Sequence, residues 1–72
     1  MTYTELVEEL RAAANGAASG QKVVVVNLFG IEHVDRLQQV NLSDLAEQAG
    51  IGRSFSSELR RGMRLADHVR LK

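Results

Sequence analysis

Residues 42–62 of this 72-residue chain read LSDLAEQAGIGRSFSSELRRG, and this stretch decides the fold. Its middle holds Gly50, and glycine is the residue that most readily adopts the positive φ of a tight corner. Ala46, four residues earlier, is small enough to let a second helix approach, and Ile51 follows as an apolar anchor beneath the corner. The stretch therefore predicts two short helices packed across a turn, a helix-turn-helix.

The second helix of this motif is predicted from about residue 53 to residue 61, with Gly62 as its terminator. At about 100° per residue, the segment divides into two faces. The apolar face holds Phe55, Leu59, Met63 and Ala66. The opposite face holds Arg53, Ser57, Arg60, Arg61 and Arg64. A recognition helix has this division, because it buries one side and offers the other to the major groove of DNA.

The motif also resembles the helix-turn-helix of Cro and phage-repressor regulators. At the position where that family has an aromatic residue, this chain has Phe55. The residues shared with the family are Leu45, Ala46, Ala49, Gly50, Ile51, Arg53, Ser54, Arg61 and Gly62. The whole chain is similar to short bacterial or phage proteins described only as helix-turn-helix-like. The resemblance to Cro and phage repressors implies a transcriptional regulator that binds double-stranded DNA sequence-specifically.

We expect the first turns of the recognition helix to enter the groove, where arginine can pair with guanine and serine can reach bases or phosphates. Base edges or their surroundings are predicted for Arg53, Ser54, Ser57 and Arg61. Phosphate contacts are predicted for Arg60, Arg64, Arg70 and Lys72. Glu58 lies at the rim of this face, where it either accepts from cytosine or pairs with an arginine.

Charge supports this placement although the formal net charge is zero. Residues 1–50 carry three basic and seven acidic side chains, whereas residues 51–72 carry six basic and two acidic ones. The positive charge is therefore concentrated in the segment that holds the predicted recognition helix.

A first helix is predicted from Thr4 to Ala14, with Thr4 as its N-cap, followed by a loop at residues 15–20. The helix of the motif that follows at residue 42 is expected to be capped by Asn41 or Ser43. These assignments, with the motif, describe a mainly α domain of about four helices that spans residues 1–72.

Residues 22–39, KVVVVNLFGIEHVDRLQQ, carry two conflicting patterns. Consecutive valines favour a strand, whereas apolar residues that recur every three positions favour a helix. We expect a helix over residues 30–39, with the conformation changing at Gly30. Residues 23–27 then form either a further helical turn or a short strand, which could pair with residues 68–72 in a two-stranded patch.

The chain has no cysteine, so a domain this small must be stabilised by helix packing or self-association. We expect a homodimer, because two recognition helices read a palindrome, and the apolar candidates for its surface are helix 1 and the VVVVNLF segment. The main alternative function is a protein-interaction module, such as an antitoxin-like protein, a phage inhibitor or an accessory subunit, which docks a protein through the same helix pair.

Other functional classes find little support in the sequence. His33 and His68 lack the spacing of metal ligands, and Glu32 and Asp35 beside His33 bring no nucleophile with them. We therefore expect no metal, no cofactor and no enzymatic activity. The start of the chain lacks the pattern of an export signal, and its longest apolar run is too short to span a membrane. These features predict a soluble, cytoplasmic protein.

Overall fold

Five α-helices make up the described part of the chain, which comprises residues 2–18 and 20–68 of a computed structural model. They are α1 (Tyr3–Asn15), α2 (Lys22–Glu32), α3 (Val34–Leu37), α4 (Leu42–Gln48) and α5 (Ser56–Leu65), and a 3-10 turn at Arg53–Phe55 leads into α5. No strand occurs within these residues, which confirms the mainly α prediction.

The start of α1 differs from the prediction by two residues. Thr2, and not Thr4, is the N-cap: its side-chain oxygen accepts from the Glu5 N–H at 3.2 Å, and the Glu5 carboxylate accepts from the Thr2 N–H at 2.9 Å. This reciprocal pair is a capping box, which needs a glutamate three residues after the cap. The bond from the Thr2 backbone holds the pKa of Glu5 below its ordinary value, because it favours the charged carboxylate.

The valine run is helical, so the strand alternative for residues 23–27 was wrong. Val26 and Phe29 are both buried in the core, and their spacing of three residues places them on one side of a helix. Burial at helical spacing thus outweighs the strand propensity of valine, which itself depends on packing. The other half of the proposed strand pair, residues 68–72, lies outside the described residues except for His68.

The change of conformation occurs at His33 and not at Gly30. Helix α2 runs through Gly30 to Glu32, His33 has φ −111° and ψ 24°, and α3 starts at Val34. The predicted helix over residues 30–39 is therefore the end of one helix and a second short one. This break accounts for five helices where about four were expected.

One hydrophobic cluster takes in side chains from all five helices. The largest of its fully buried side chains are Leu10, Val26, Leu37, Leu45 and Leu59, one from each helix in turn. Because every helix buries at least one large apolar side chain in this cluster, the helix-turn-helix segment is held by the same core as the rest of the described chain.

Helices α2 and α5 cross at a pair of glycines. A Cβ atom added to Gly30 would lie 2.5 Å from the carbonyl oxygen of Leu59 and 3.1 Å from the Cα of Gly62. A Cβ atom added to Gly62 would overlap the carbonyl oxygen of Asn27. The two backbones therefore touch without intervening side chains. Gly62 lies within α5 and is buried there, so its predicted role as the terminator of this helix was wrong.

Candidate nucleic-acid interface

The corner between α4 and the 3-10 turn has the predicted form. Gly50 adopts φ +80°, its N–H donates to the Glu47 carbonyl at 3.0 Å, and the Ile51 N–H donates to the Ala46 carbonyl at 3.1 Å. This pair of bonds is a Schellman motif, which satisfies the last carbonyls of α4 and needs a residue of left-handed conformation. The side chain of Ile51 packs against the core beneath the corner.

Asn41 caps the other end of α4. Its side-chain oxygen accepts from the Asp44 N–H at 3.1 Å, whereas Ser43 lies within the first turn of the helix. Of the two caps that the sequence allowed, the structure therefore has Asn41. Both ends of α4 are thus fixed by local hydrogen bonds, so the helix that supports the corner is well defined despite its seven residues.

Helix α5 has the two faces that the periodicity predicted, although it begins at Ser56 and ends at Leu65. Leu59 is fully buried, and Phe55 and Met63 pack against the core from partly buried positions. A shallow surface groove on the other side is lined by Ser57, Arg60, Arg61 and Arg64. Six of the eight predicted DNA-contacting residues lie in the described part of the chain, and the structure brings four of these six together on one exposed surface, which we call the arginine face.

The three arginines of this face differ in their surroundings. Arg61 lies 3.3 Å from the Glu58 carboxylate, one turn earlier in the helix. Among the described residues, no carboxylate oxygen comes within 4.0 Å of the guanidinium groups of Arg60 or Arg64. These two positive charges are consequently available to a phosphate without first losing an ion pair.

Arg53, which the periodicity placed on this face, lies at the corner in the 3-10 turn before α5 and does not line the groove. Its guanidinium donates to the Glu47 carboxylate at 2.9 Å and lies 3.9 Å from the carboxylate of Asp44. The hydrogen bond to Glu47 and the negative charge of the same group raise the pKa of Arg53. This contact was not predicted, because a separation of six residues across a turn matches no helical spacing.

Two further predicted side chains have partners within the domain. The Ser57 hydroxyl donates to the carbonyl oxygen of Ser54 at 3.0 Å, so the first turn of α5 is bonded to the 3-10 turn that precedes it. Glu58 is mostly buried and accepts from the Asn27 side chain at 3.0 Å as well as from Arg61. Of the two roles predicted for Glu58, the structure therefore has the pairing with an arginine. Arg70 and Lys72 lie outside the described residues.

His33 occupies the break between α2 and α3. The residue is 9% exposed, and its Nε2 lies 3.3 Å from a Glu9 oxygen and 3.4 Å from a Glu32 oxygen. Its ring also packs on Phe29, with a centroid distance of 4.4 Å. These contacts join α1 to the end of α2 and give His33 a structural role. In residues 2–18 and 20–68, no three His, Cys, Asp or Glu side chains are grouped as metal ligands would be.

Comparisons with known proteins agree with this geometry at the level of fold. A family described as "HTH-like domain" matches residues 2–72. Neither a curated protein nor a solved structure matches the chain. None of the helices in the described residues has the length and apolar character needed to cross a bilayer. The family match covers almost the whole sequence, and thus includes the flanking helices as well as the motif.

Proposed function

We propose, from the premise that this chain belongs to the HTH-like domain family, that it binds double-stranded DNA through α5 as a transcriptional regulator. The observation that carries the proposal is the arginine face, because its exposed cations lie on a helix whose opposite side is buried in the core. An α-helix of this kind fits the major groove, where phosphate contacts position it and base contacts give specificity.

The individual roles follow from position along α5. The motif turn places Arg53 and Ser54 just before the helix, and Ser57 in its first turn, where recognition helices approach base edges. Arg61 lies one turn later and is assigned to bases or their surroundings. Arg60 and Arg64, whose guanidinium groups have no carboxylate nearby among the described residues, are assigned to phosphates.

We further propose that the chain is related to a specific group of regulators and acts as a dimer. The residues of the motif support a relationship to Cro and phage-repressor regulators. A homodimer that acts in the cytoplasm is consistent with such a relationship. One domain offers a single recognition helix, whereas a dimer doubles the base and phosphate contacts and reads two half-sites. The proposed DNA target is accordingly a short palindrome.

The proposal is tested first by measuring binding of the whole chain to a labelled duplex of random sequence by fluorescence anisotropy. We expect binding at about 50 mM salt that weakens steeply toward about 200 mM, with a logarithmic slope of about −0.9 for each phosphate contacted. Selection from a random duplex pool should then enrich a common sequence with two half-sites. Absence of duplex binding at low salt would contradict the proposal and would leave docking of a protein as the better explanation.

The ion pair at the corner gives a second prediction. Replacing Glu47 with glutamine should tighten duplex binding about fivefold, because it releases Arg53 and removes a negative charge near the phosphates. Glu8→Gln is the matched control, since Glu8 is exposed on α1 and remote in sequence from the motif. Affinity at several salt concentrations is the measurement.

The two causes of that gain are separable by a double-mutant cycle. If the release of Arg53 is responsible, Glu47→Gln should have little effect in a chain that already carries Arg53→Ala. A gain of unchanged size in the Arg53→Ala background would show that Arg53 does not contribute, and would remove it from the DNA-contacting set.

A further inference from the structure

Glu58 is the only acidic residue of the chain that is not exposed, and all nine acidic residues belong to the described part. Its side chain is 19% exposed, and withdrawing a carboxylate from water costs free energy unless hydrogen bonds replace the lost water. Two neighbours contact the same oxygen, Oε1: the Asn27 amide donates to it at 3.0 Å, and Nη1 of Arg61 lies 3.3 Å away. One carboxylate oxygen thus connects α2 to the arginine face.

Asn27 is itself held in place on α2. Its Nδ2 also donates to the carbonyl oxygen of Val23, one turn earlier, at 2.8 Å. Its backbone carbonyl lies at the glycine crossing, so close to Gly62 that no Cβ atom fits between them. Its Oδ1 is buried and accepts no hydrogen bond from the described residues, which is unfavourable for stability. The use of an amide at this position is therefore best explained by the carboxylate that it holds.

The fixed carboxylate distinguishes Arg61 from the other two arginines of the arginine face. The Arg61 side chain is 65% exposed, but its guanidinium is bonded to an acceptor that is anchored in the domain. Among the described residues, Arg60 and Arg64 have no carboxylate within 4.0 Å. A long side chain that is oriented before binding loses less rotamer freedom on contact. The remaining N–H donors of Arg61 are therefore presented to a ligand in a restricted set of directions.

We infer that Arg61 recognises a guanine base, and that Asn27 and Glu58 are positioning residues that make this contact selective. Guanine offers two acceptors, O6 and N7, in the major groove, and a pair of arginine N–H donors must be aligned with both. Attraction to a phosphate depends mainly on charge, which Glu58 partly cancels at Arg61. The inference rests on the proposed function and names the base that one residue of that site recognises. It makes α2, outside the helix-turn-helix, a determinant of sequence preference.

The positioning is tested first without DNA, by ¹⁵N relaxation of the arginine Nε–H groups in the whole chain. We expect a higher order parameter for Arg61 than for Arg60 and Arg64, and a fall to their level in Asn27→Leu, which replaces the amide by an apolar group of similar shape. Glu58→Gln should lower the value as well, and it keeps an acceptor for Asn27 if the leucine variant does not fold. Equal values for the three arginines, or an Arg61 value unchanged in the folded variants, would overturn the positioning.

The selectivity is tested with the duplex that the wild-type chain enriches from a random pool. The base pair contacted by Arg61 is the one at which Arg61→Ala loses its preference, and we expect a guanine there. Replacing this G·C pair by A·T should weaken wild-type binding about 10-fold. In Glu58→Gln the same replacement should cost less than about threefold. Affinity of this variant for a random duplex should rise about threefold, because Arg61 becomes free to contact a phosphate.

Glu8→Gln is the control for the loss of one negative charge, and it should change neither the guanine preference nor the affinity for a random duplex. A guanine preference that persists in Glu58→Gln and Asn27→Leu would overturn the inference and leave DNA binding intact. An equal loss of affinity for all duplexes would also overturn it, because a merely structural role has that effect. Absence of duplex binding by the wild type would contradict the proposed function and guanine recognition together, whereas the order parameters report the positioning independently.

Discussion

Gly62→Ala should lower the free energy of unfolding by about 2 kcal/mol, a large share of the roughly 4–11 kcal/mol available to a domain of this length. The added methyl overlaps the backbone of Asn27, and a backbone carbonyl in a helix cannot rotate away as a side chain can. Overpacking of this kind costs up to about 3 kcal/mol, of which the higher helix propensity of alanine restores about 1 kcal/mol. Thermal unfolding should show a midpoint about 8–16 °C lower.

Gly16→Ala is the matched control for this experiment. Gly16 ends α1 with φ −82°, and a Cβ atom there would meet only ordinary contacts, the nearest at 3.4 Å from the Ala12 carbonyl oxygen. The same substitution at this position should leave stability unchanged or raise it slightly. Both variants are compared at equal protein concentration, because dimerisation shifts the midpoint. Equal midpoints for the two variants would mean that α2 and α5 do not cross as closely as described.

Removing the cations of the arginine face should abolish most duplex binding. The triple variant Arg60→Ala, Arg61→Ala and Arg64→Ala is expected to bind every duplex sequence about 100-fold or more weakly at low salt, since each lost contact removes about 1 kcal/mol. The slope of log affinity against log salt should become shallower by about 2 for each recognition helix, because the phosphate contacts of Arg60 and Arg64 are lost. Anisotropy titrations at four or five salt concentrations measure both quantities.

Arg36→Ala controls for the loss of positive charge as such. Arg36 is exposed on α3, and its charge is only a small addition to the Thr2 hydrogen bonds that lower the pKa of Glu5 at the start of α1, so it belongs to a different surface. Its replacement should leave the salt slope unchanged. If the triple variant retained the affinity and slope of the wild type, α5 would not be the DNA-binding helix, and the family resemblance would have to be explained by protein docking.

The parts of the fold that the sequence predicted are those determined by near neighbours in the chain. The corner needs Gly50 for its positive φ and Ala46 for close approach, and both requirements lie within five residues. The two faces of α5 follow from helical periodicity alone, so four members of the arginine face could be identified before the structure.

The parts that were missed depend on contacts between residues far apart in the sequence. Gly62 follows two arginines, a pattern that predicts the end of a helix. Only the position of Asn27 on α2 shows why a glycine is needed within α5. The consecutive valines of α2 favour a strand when only the sequence is considered. Their helical role becomes visible only once the core shows which of them is buried. The Glu47–Arg53 pair depends on how the corner folds the chain back, which no spacing rule describes.

The glycine crossing also bears on how relatives of this chain can diverge. In most helix contacts, a larger side chain on one partner is accommodated when the facing side chain becomes smaller, so the two positions change together. Here a methyl on either helix meets main-chain atoms, which no substitution can shrink. Positions 30 and 62 should therefore each remain glycine independently in chains that keep this crossing, and an alanine at either should coincide with a wider separation of the two helices.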